Sequence, residues 1–236
     1  MTVEETRAPV DAVLSGIVRG VYAKRGPAAR TIVGLGTHCY TATLLKSAGL
    51  KDASYPFDWL FSAPQMVAHC LDDDFATFLD RRYYEPVPPE RRRDGPTVNL
   101  CDHRYYRDEQ GIPFVFNHRD PLDDADYAYL QRCVERFRDV ARAGTATFLL
   151  TTFPSEYWQR GFERVSRALR AYAPAARLVY VVVSPPGERG LPEPRLCEES
   201  DGHTLVELIP GSTWHPLWFD NALDDIALLT LALERI

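Results

Sequence analysis

The second half of the chain alternates between two hydrophobic periods. In residues 124–143 apolar side chains recur every three or four positions, between an aspartate-rich start and Gly144, which predicts an amphipathic helix. Short continuous apolar runs in the same half predict buried strands, and segments with the helical period separate them. The predicted elements are strands at 146–153, 177–184 and 204–209, and helices at 158–174 and 217–235.

The first half opens with a helix, a strand and a second helix. Apolar residues follow the helical period over 10–22, and "RTIVGLG" at 30–36 predicts a short buried strand. The next helix is predicted over about 39–48, with Thr37 as its N-cap. Cys39 therefore falls at the hinge between a strand and a helix.

The pattern is weaker between this helix and residue 124. Two short helices are predicted at 63–71 and 73–83, an exposed loop at 86–99, and an extended stretch, "IPFVFNH", at 112–118. Strands that alternate with helices predict an α/β fold, a single domain with a mainly parallel sheet flanked by helices. We expect residues 1–236 to form that one domain, with a helix over 8–23 at its periphery.

Charge and composition bear on the partners that the protein can have. The net charge is −6, and the only basic cluster is "RRRD" at 91–94, so we expect no nucleic-acid partner. No apolar run approaches the ~20 residues of a membrane helix, and the acidic start does not resemble a signal region. We therefore expect a cytoplasmic protein with no membrane partner; the sequence leaves its oligomeric state open.

The cysteines do not form a disulfide or zinc pattern. There are five, widely spaced, with no C-x-x-C pair. Clusters such as His69-Cys70 and Cys101-Asp102-His103 lack the spacing of a known metal-binding turn, so we expect no metal and no other cofactor.

Cys39 is the cysteine whose predicted position suits chemistry. A helix N-terminus favours an anion, so it lowers the pKa of a thiol, and its free N–H groups can hold an oxyanion. The alternative is a small buried core residue, which is the usual role of a free cysteine. Cys133 lies within the apolar stripe of the helix at 124–143 and is expected to be such a core residue.

A thiol nucleophile needs an imidazole base close in space. His118 ends the extended stretch, and His215 lies between the last strand and the last helix, so either could reach Cys39. A carboxylate would then fix the imidazole tautomer. Asp120 is the nearest to His118 in sequence, and Asp58 and Glu156 are alternatives.

Ordered motifs of the chain resemble the DUF1796 family of papain-like cysteine peptidases. They include "GLGTHCYTATLLKSAGL", "SYPFDWLFS" and "FVFNHRD", and the resemblance covers roughly residues 30–155. It implies Cys39 as the nucleophile and His118 as the base. The family usually has an aspartate directly after this histidine, whereas here Arg119 intervenes before Asp120, so the orienting carboxylate stays open.

Three residues are assigned to substrate binding. His38 is the neighbour of Cys39, and Asp58 and Trp59 belong to the Asp-Trp motif of the resemblance. Asp58 could orient His118 or bind substrate while Trp59 walls the site. Alternatively, Trp59 fills the core and Asp58 caps the turn after Pro56.

The leading hypothesis is a cysteine-dependent acyl-transfer enzyme. Its substrate would be an amide or thioester on a small molecule, a peptide or a carrier protein in a biosynthetic pathway, and the product could arise by hydrolysis or transfer. One alternative resembles SGNH-type esterases, with His215 as the base, although Ser212 stands where an Asp-x-x-His spacing needs an aspartate. The other is a ligand-binding domain without catalysis, built on "YPFDWLF" and "TWHPLWF".

Overall fold

A computed structural model gives the fold, and it describes residues 3–26, 30–92, 95, 97–155 and 158–236. The helices are α1 (Val3–Arg25), α2 (Tyr40–Ser47), α3 (Pro64–Asp72), α4 (Arg104–Gln110), α5 (Asp124–Ala143), α6 (Trp158–Tyr172) and α7 (Ala222–Leu233). The strands are β1 (Thr31–Gly34), β2 (Tyr84–Pro86), β3 (Cys101–His103), β4 (Ala146–Thr152), β5 (Arg177–Val183), β6 (Glu193–Ser200) and β7 (His203–Ile209). Within the described residues, no helix has the length and apolar character needed to cross a bilayer.

The central sheet has five strands in the order β1-β4-β5-β7-β6. The first four are parallel, and β6 pairs antiparallel with β7 at one edge. The predicted α/β fold with a mainly parallel sheet is therefore confirmed. Because the carboxyl ends of the parallel strands meet at one edge, that edge is where such folds place ligand sites.

Helices cover both faces of this sheet. One core joins the sheet to α3, α5 and α6 through side chains such as Phe137 and Phe162. The other joins it to α1, α2 and α7. Helix α1 takes part in this second core with Leu14, and Ser15 Oγ donates to the carbonyl of Ser47, 3.1 Å away.

Several local predictions are wrong. Residues 73–83 form turns and a short 3-10 segment, because Asp74 and Phe75 adopt left-handed backbone (φ 49° and 63°), which ends a helix. Strands β2 and β3 form a small hairpin sheet that the pattern did not indicate. Strand β6 was also missed, since nearly all its residues are exposed and leave no alternation of apolar and polar positions.

Gly36 fixes the turn that leads from β1 to Cys39. Its φ of +48° is left-handed, and a Cβ there would lie 2.3 Å from the carbonyl oxygen of Phe57. Gly36→Ala should therefore lower the free energy of unfolding by about 2–4 kcal/mol, from backbone strain plus the clash. Chemical denaturation measures this change.

Gly20→Ala is the control for this prediction. Gly20 lies within α1, and a Cβ added there would have no other atom within 4 Å. Alanine at this position should stabilise the protein by about 0.5–1 kcal/mol, because glycine is the poorer helix former. Equal stability of the Gly36 variant and wild type would contradict this account of the turn.

Candidate active site

Cys39 stands where the sequence places it, at the start of α2 and beyond the carboxyl end of β1. It occupies the N-cap position, makes no side-chain capping bond and is 5 % exposed. The expected cap, Thr37, instead donates its hydroxyl to the carbonyl oxygen of Thr151 at 2.8 Å. Thr37 lies too far before the first helical turn to cap it. Its hydrogen bond connects the turn to β4 instead.

His118 is the imidazole that reaches Cys39. The sulfur of Cys39 lies 3.4 Å from His118 Nε2. His118 follows a short extended stretch in which Phe116 forms an isolated antiparallel bridge with Cys101 of β3. The pair therefore joins a buried thiol to a ring on the protein surface, on two segments 79 residues apart.

An asparagine pair completes this group. Asn117 Nδ2 lies 3.1 Å from His118 Nε2, and Asn99 Nδ2 donates to Asn117 Oδ1 at 2.9 Å. Because Oδ1 of Asn117 is taken by Asn99, its NH₂ group faces the ring, and Nε2 of His118 is assigned as an acceptor with the proton on Nδ1. In that tautomer Nε2 carries the single acceptor lone pair of the ring, and the Asn117 amide and the Cys39 thiol are the two donors within reach of it.

Sequence reasoning missed both asparagines. Asn99 is fully buried with φ +51°, although 86–99 was predicted to be an exposed loop. The available signals were weak: asparagine tolerates left-handed backbone, and Asn117 directly precedes the candidate base. Neither signal shows that the two amides meet.

Burial controls the protonation of the pair. It raises the pKa of Cys39 to about 11, although a hydrogen bond from Asn117 acts in the opposite direction. Burial also lowers the pKa of His118, and the positive charge of Arg119 lowers it further. The expected depression of the thiol pKa at the helix start is therefore outweighed, and the resting pair is a neutral thiol beside a neutral imidazole.

The comparison with protein families falls on this same segment. Residues 30–145 match the family described as "Putative papain-like cysteine peptidase (DUF1796)". The match covers just under half of the 236 residues and contains both Cys39 and His118. The comparisons with curated proteins and with solved structures gave no match. The family description indicates cysteine-based catalysis. Asn117 differs from the third member of a Cys-His-Asn triad, because it meets the same ring nitrogen as Cys39, Nε2, whereas the third group of a triad holds the opposite nitrogen.

The carboxylate of Asp120 contacts a backbone group and not the His118 ring, which was its expected partner. Its carboxylate accepts a hydrogen bond from the backbone N–H of Leu122 at 3.1 Å, which stabilises the turn before α5. Within the described residues it makes no hydrogen bond to His118, so its orienting role has no supporting contact. The alternative carboxylate Glu156 lies outside the described residues.

The contacts of Asp58 in the described part of the chain are structural. It is 1 % exposed, forms an ion pair with Lys51 and accepts the backbone N–H of Tyr55 at 2.6 Å. Burial raises the pKa of Asp58, and Lys51 opposes that rise. None of these contacts involves Cys39 or His118, and the binding role of Asp58 stays a prediction.

Trp59 lies apart from the thiol and imidazole. It is half-buried, and its Nε1 donates to Ser54 Oγ at 3.4 Å. It lines a cavity of about 590 Å³ whose described lining includes Lys51 and Arg136 but neither Cys39 nor His118. The predicted role of Trp59 as a wall of the Cys39 site is therefore not supported by this lining.

His38 borders a different and larger cavity. Because the Thr37 hydroxyl donates to Thr151, it accepts from His38 Nδ1 at 2.9 Å, which fixes the proton on Nδ1. The ring packs against Phe153 and Trp214, with centroids 4.8 and 5.1 Å away. Burial lowers the pKa of His38 to about 4, so it is neutral near pH 7.

His215, the alternative base, has its own partner. Its Nε2 lies 2.7 Å from Asp220 Oδ1, on the exposed loop before α7. The structure brings His118 to the sulfur of Cys39, whereas His215 forms a separate pair. In the described part of the chain, no group of three or more His, Cys, Asp or Glu side chains could hold a metal ion.

Proposed function

We propose that this protein catalyses cysteine-dependent acyl transfer, with Cys39 as the nucleophile and His118 as the general base. The observation that carries the proposal is the 3.4 Å contact between the sulfur and Nε2 at the first turn of α2. A nucleophile within hydrogen-bond reach of a base is the arrangement that covalent catalysis requires. The family match adds support, because the DUF1796 description indicates cysteine-based catalysis.

The neutral resting pair suits a general-base mechanism. As the sulfur bonds to the acyl carbon, the thiol proton passes to His118 Nε2, and the carbonyl oxygen becomes an oxyanion. Free N–H groups at the start of α2 and the amide of Asn117 are the donors available to that oxyanion. His118 then gives its proton to the leaving group, and water or an amine, deprotonated by His118, releases the acyl group from Cys39.

The acceptor sets the outcome of this reaction. Water gives hydrolysis, and an amine gives transfer to a second molecule. We propose a narrow cytoplasmic role on a small molecule, a peptide or a carrier-bound thioester, such as a step of a biosynthetic pathway. The nearly complete burial of Cys39 supports a slender acyl substrate more than a bulky polymer, because only a narrow group can reach the sulfur.

The pH dependence of ester hydrolysis tests the assignment of the base. His118 must be neutral to accept the thiol proton, and its pKa is lowered from the usual 6.5. As the pH is lowered, kcat/KM for an activated aryl ester should therefore stay constant through pH 6.5. It should fall only at the lower pH at which His118 becomes protonated. On the alkaline side, the thiol remains protonated until about pH 11, so no fall is expected near neutrality.

Arg119 offers the matched variant for this profile. Its charge lowers the pKa of His118, so Arg119→Gln should move the acid limb to higher pH. Arg132→Gln removes a similar charge from an exposed position of α5 and should leave the limb in place. His118 would not be the base if the acid limb of kcat/KM stayed at the same pH in Arg119→Gln, or if it lay well above pH 6.5 in the wild type.

A further inference from the structure

A cavity next to the candidate active site carries a feature that the mechanism does not use. It has a volume of about 710 Å³, and His38, the neighbour of Cys39, forms part of its wall, although neither Cys39 nor His118 belongs to its described lining. The rest of the wall comes from the carboxyl end of β4, the first residues of α3 and the first turns of α6. The cavity therefore lies at the ligand-binding edge of the parallel sheet.

Two buried hydroxyls line this cavity without a hydrogen-bond partner. Tyr180, in β5, is fully buried, and Ser62 is 9 % exposed; neither Tyr180 Oη nor Ser62 Oγ has a partner in the described part of the chain. Gly161 of α6 accommodates the tyrosine, because a Cβ at that position would lie 2.6 Å from Oη. Buried hydroxyls are almost always paired, so two unpaired ones along a cavity indicate a missing acceptor.

The charges in the described lining of the cavity have one sign. Arg160 and Arg164 of α6 line it, and Arg164 has no acidic partner among the residues that the structure describes. No carboxylate belongs to its described lining. Helix α3 begins there with Ala63 and Pro64, without a side-chain cap, so the positive end of its dipole also faces the cavity.

We infer that this cavity binds an anionic group of the substrate, a carboxylate or a phosphate, while the acyl carbon reaches Cys39. The inference rests on the proposed function for the identity of the substrate, but the binding of the anion itself does not need catalysis. Arginine would pair with the anion, and the two hydroxyls would donate to its oxygens. His38, neutral and hydrogen-bonded to Thr37, adds no charge to the wall.

Anion titration tests the inference directly. Inorganic phosphate and acetate are titrated by calorimetry into the wild-type protein and into Cys39→Ala, which removes the nucleophile. Saturable binding is expected in both, and the tighter of the two anions identifies the chemical class. Arg164→Gln should weaken that binding by about tenfold or more, and Tyr180→Phe by about threefold, the losses typical of charged and neutral hydrogen bonds.

Arg167→Gln is the matched control. Arg167 is exposed on the same helix, one turn beyond Arg164, and lies outside the cavity lining. The Arg167→Gln variant should bind anions as tightly as the wild type does. The inference is overturned if neither anion binds with saturation, or if Arg164→Gln and Tyr180→Phe both match Arg167→Gln. Saturable binding in a protein that never acylates Cys39 would contradict the proposed function and leave the anion site standing.

Discussion

Cys39→Ala is expected to lower kcat/KM for an activated aryl ester by about a thousandfold or more, since loss of a nucleophile removes the covalent route. The protein should stay folded, because alanine is slightly smaller than cysteine and the site lies at a helix N-cap. Steady-state hydrolysis measures the loss, and circular dichroism with chemical denaturation verifies the fold.

Cys133→Ala provides the comparison. Cys133 is also a buried cysteine, 1 % exposed, but it lies in the core-facing stripe of α5. Its replacement should leave hydrolysis unchanged and lower the free energy of unfolding by about 1–2 kcal/mol, the cost of a small cavity. Full turnover in Cys39→Ala, or equal losses in the two variants, would remove Cys39 from the reaction.

The second large effect is expected at His118. His118→Ala should reduce kcat/KM by about 10²–10⁴, the usual contribution of a general base. The reason is that His118 is the imidazole within reach of Cys39, whose thiol, with a pKa of about 11, needs a base to take its proton. Steady-state hydrolysis of the same aryl ester at pH 7 measures this loss.

His215→Ala separates the two candidate bases. His215 is bonded to Asp220 on an exposed loop, so its removal should change kcat/KM by less than about twofold, as surface substitutions away from a site do. If the large loss appeared in His215→Ala and not in His118→Ala, the site would be the esterase-like one considered from the sequence.

The central elements of the fold could be predicted because they are buried. The strands β1, β4, β5 and β7 are apolar runs, and α5 has an Asp123 cap and a Gly144 end that the sequence displays. Strand β6 and the small hairpin could not be predicted, since an exposed edge strand and three-residue strands have no hydrophobic period. Residues 73–83 resemble a helix in composition, but left-handed backbone at Asp74 and Phe75 overrides the pattern.

The candidate site was predictable in part. The strand–turn–helix pattern places Cys39 at the start of α2, and the end of the extended stretch points to His118. The roles of Asn99 and Asn117 depend on a contact across 18 residues, which no local pattern encodes. The direction of the Cys39 pKa shift was wrong for a related reason: the helix start is visible in the sequence, whereas the extent of burial is not.

The covalent state of Cys39 during turnover tests the central claim most directly. The wild-type protein is mixed with the aryl ester, quenched in acid within the first turnover, digested and examined by mass spectrometry. The account predicts the acyl group on the peptide that contains Cys39, its absence in Cys39→Ala, and much slower appearance in His118→Ala. An acyl group on another residue, or ester hydrolysis with Cys39 unmodified at every time point, would contradict it.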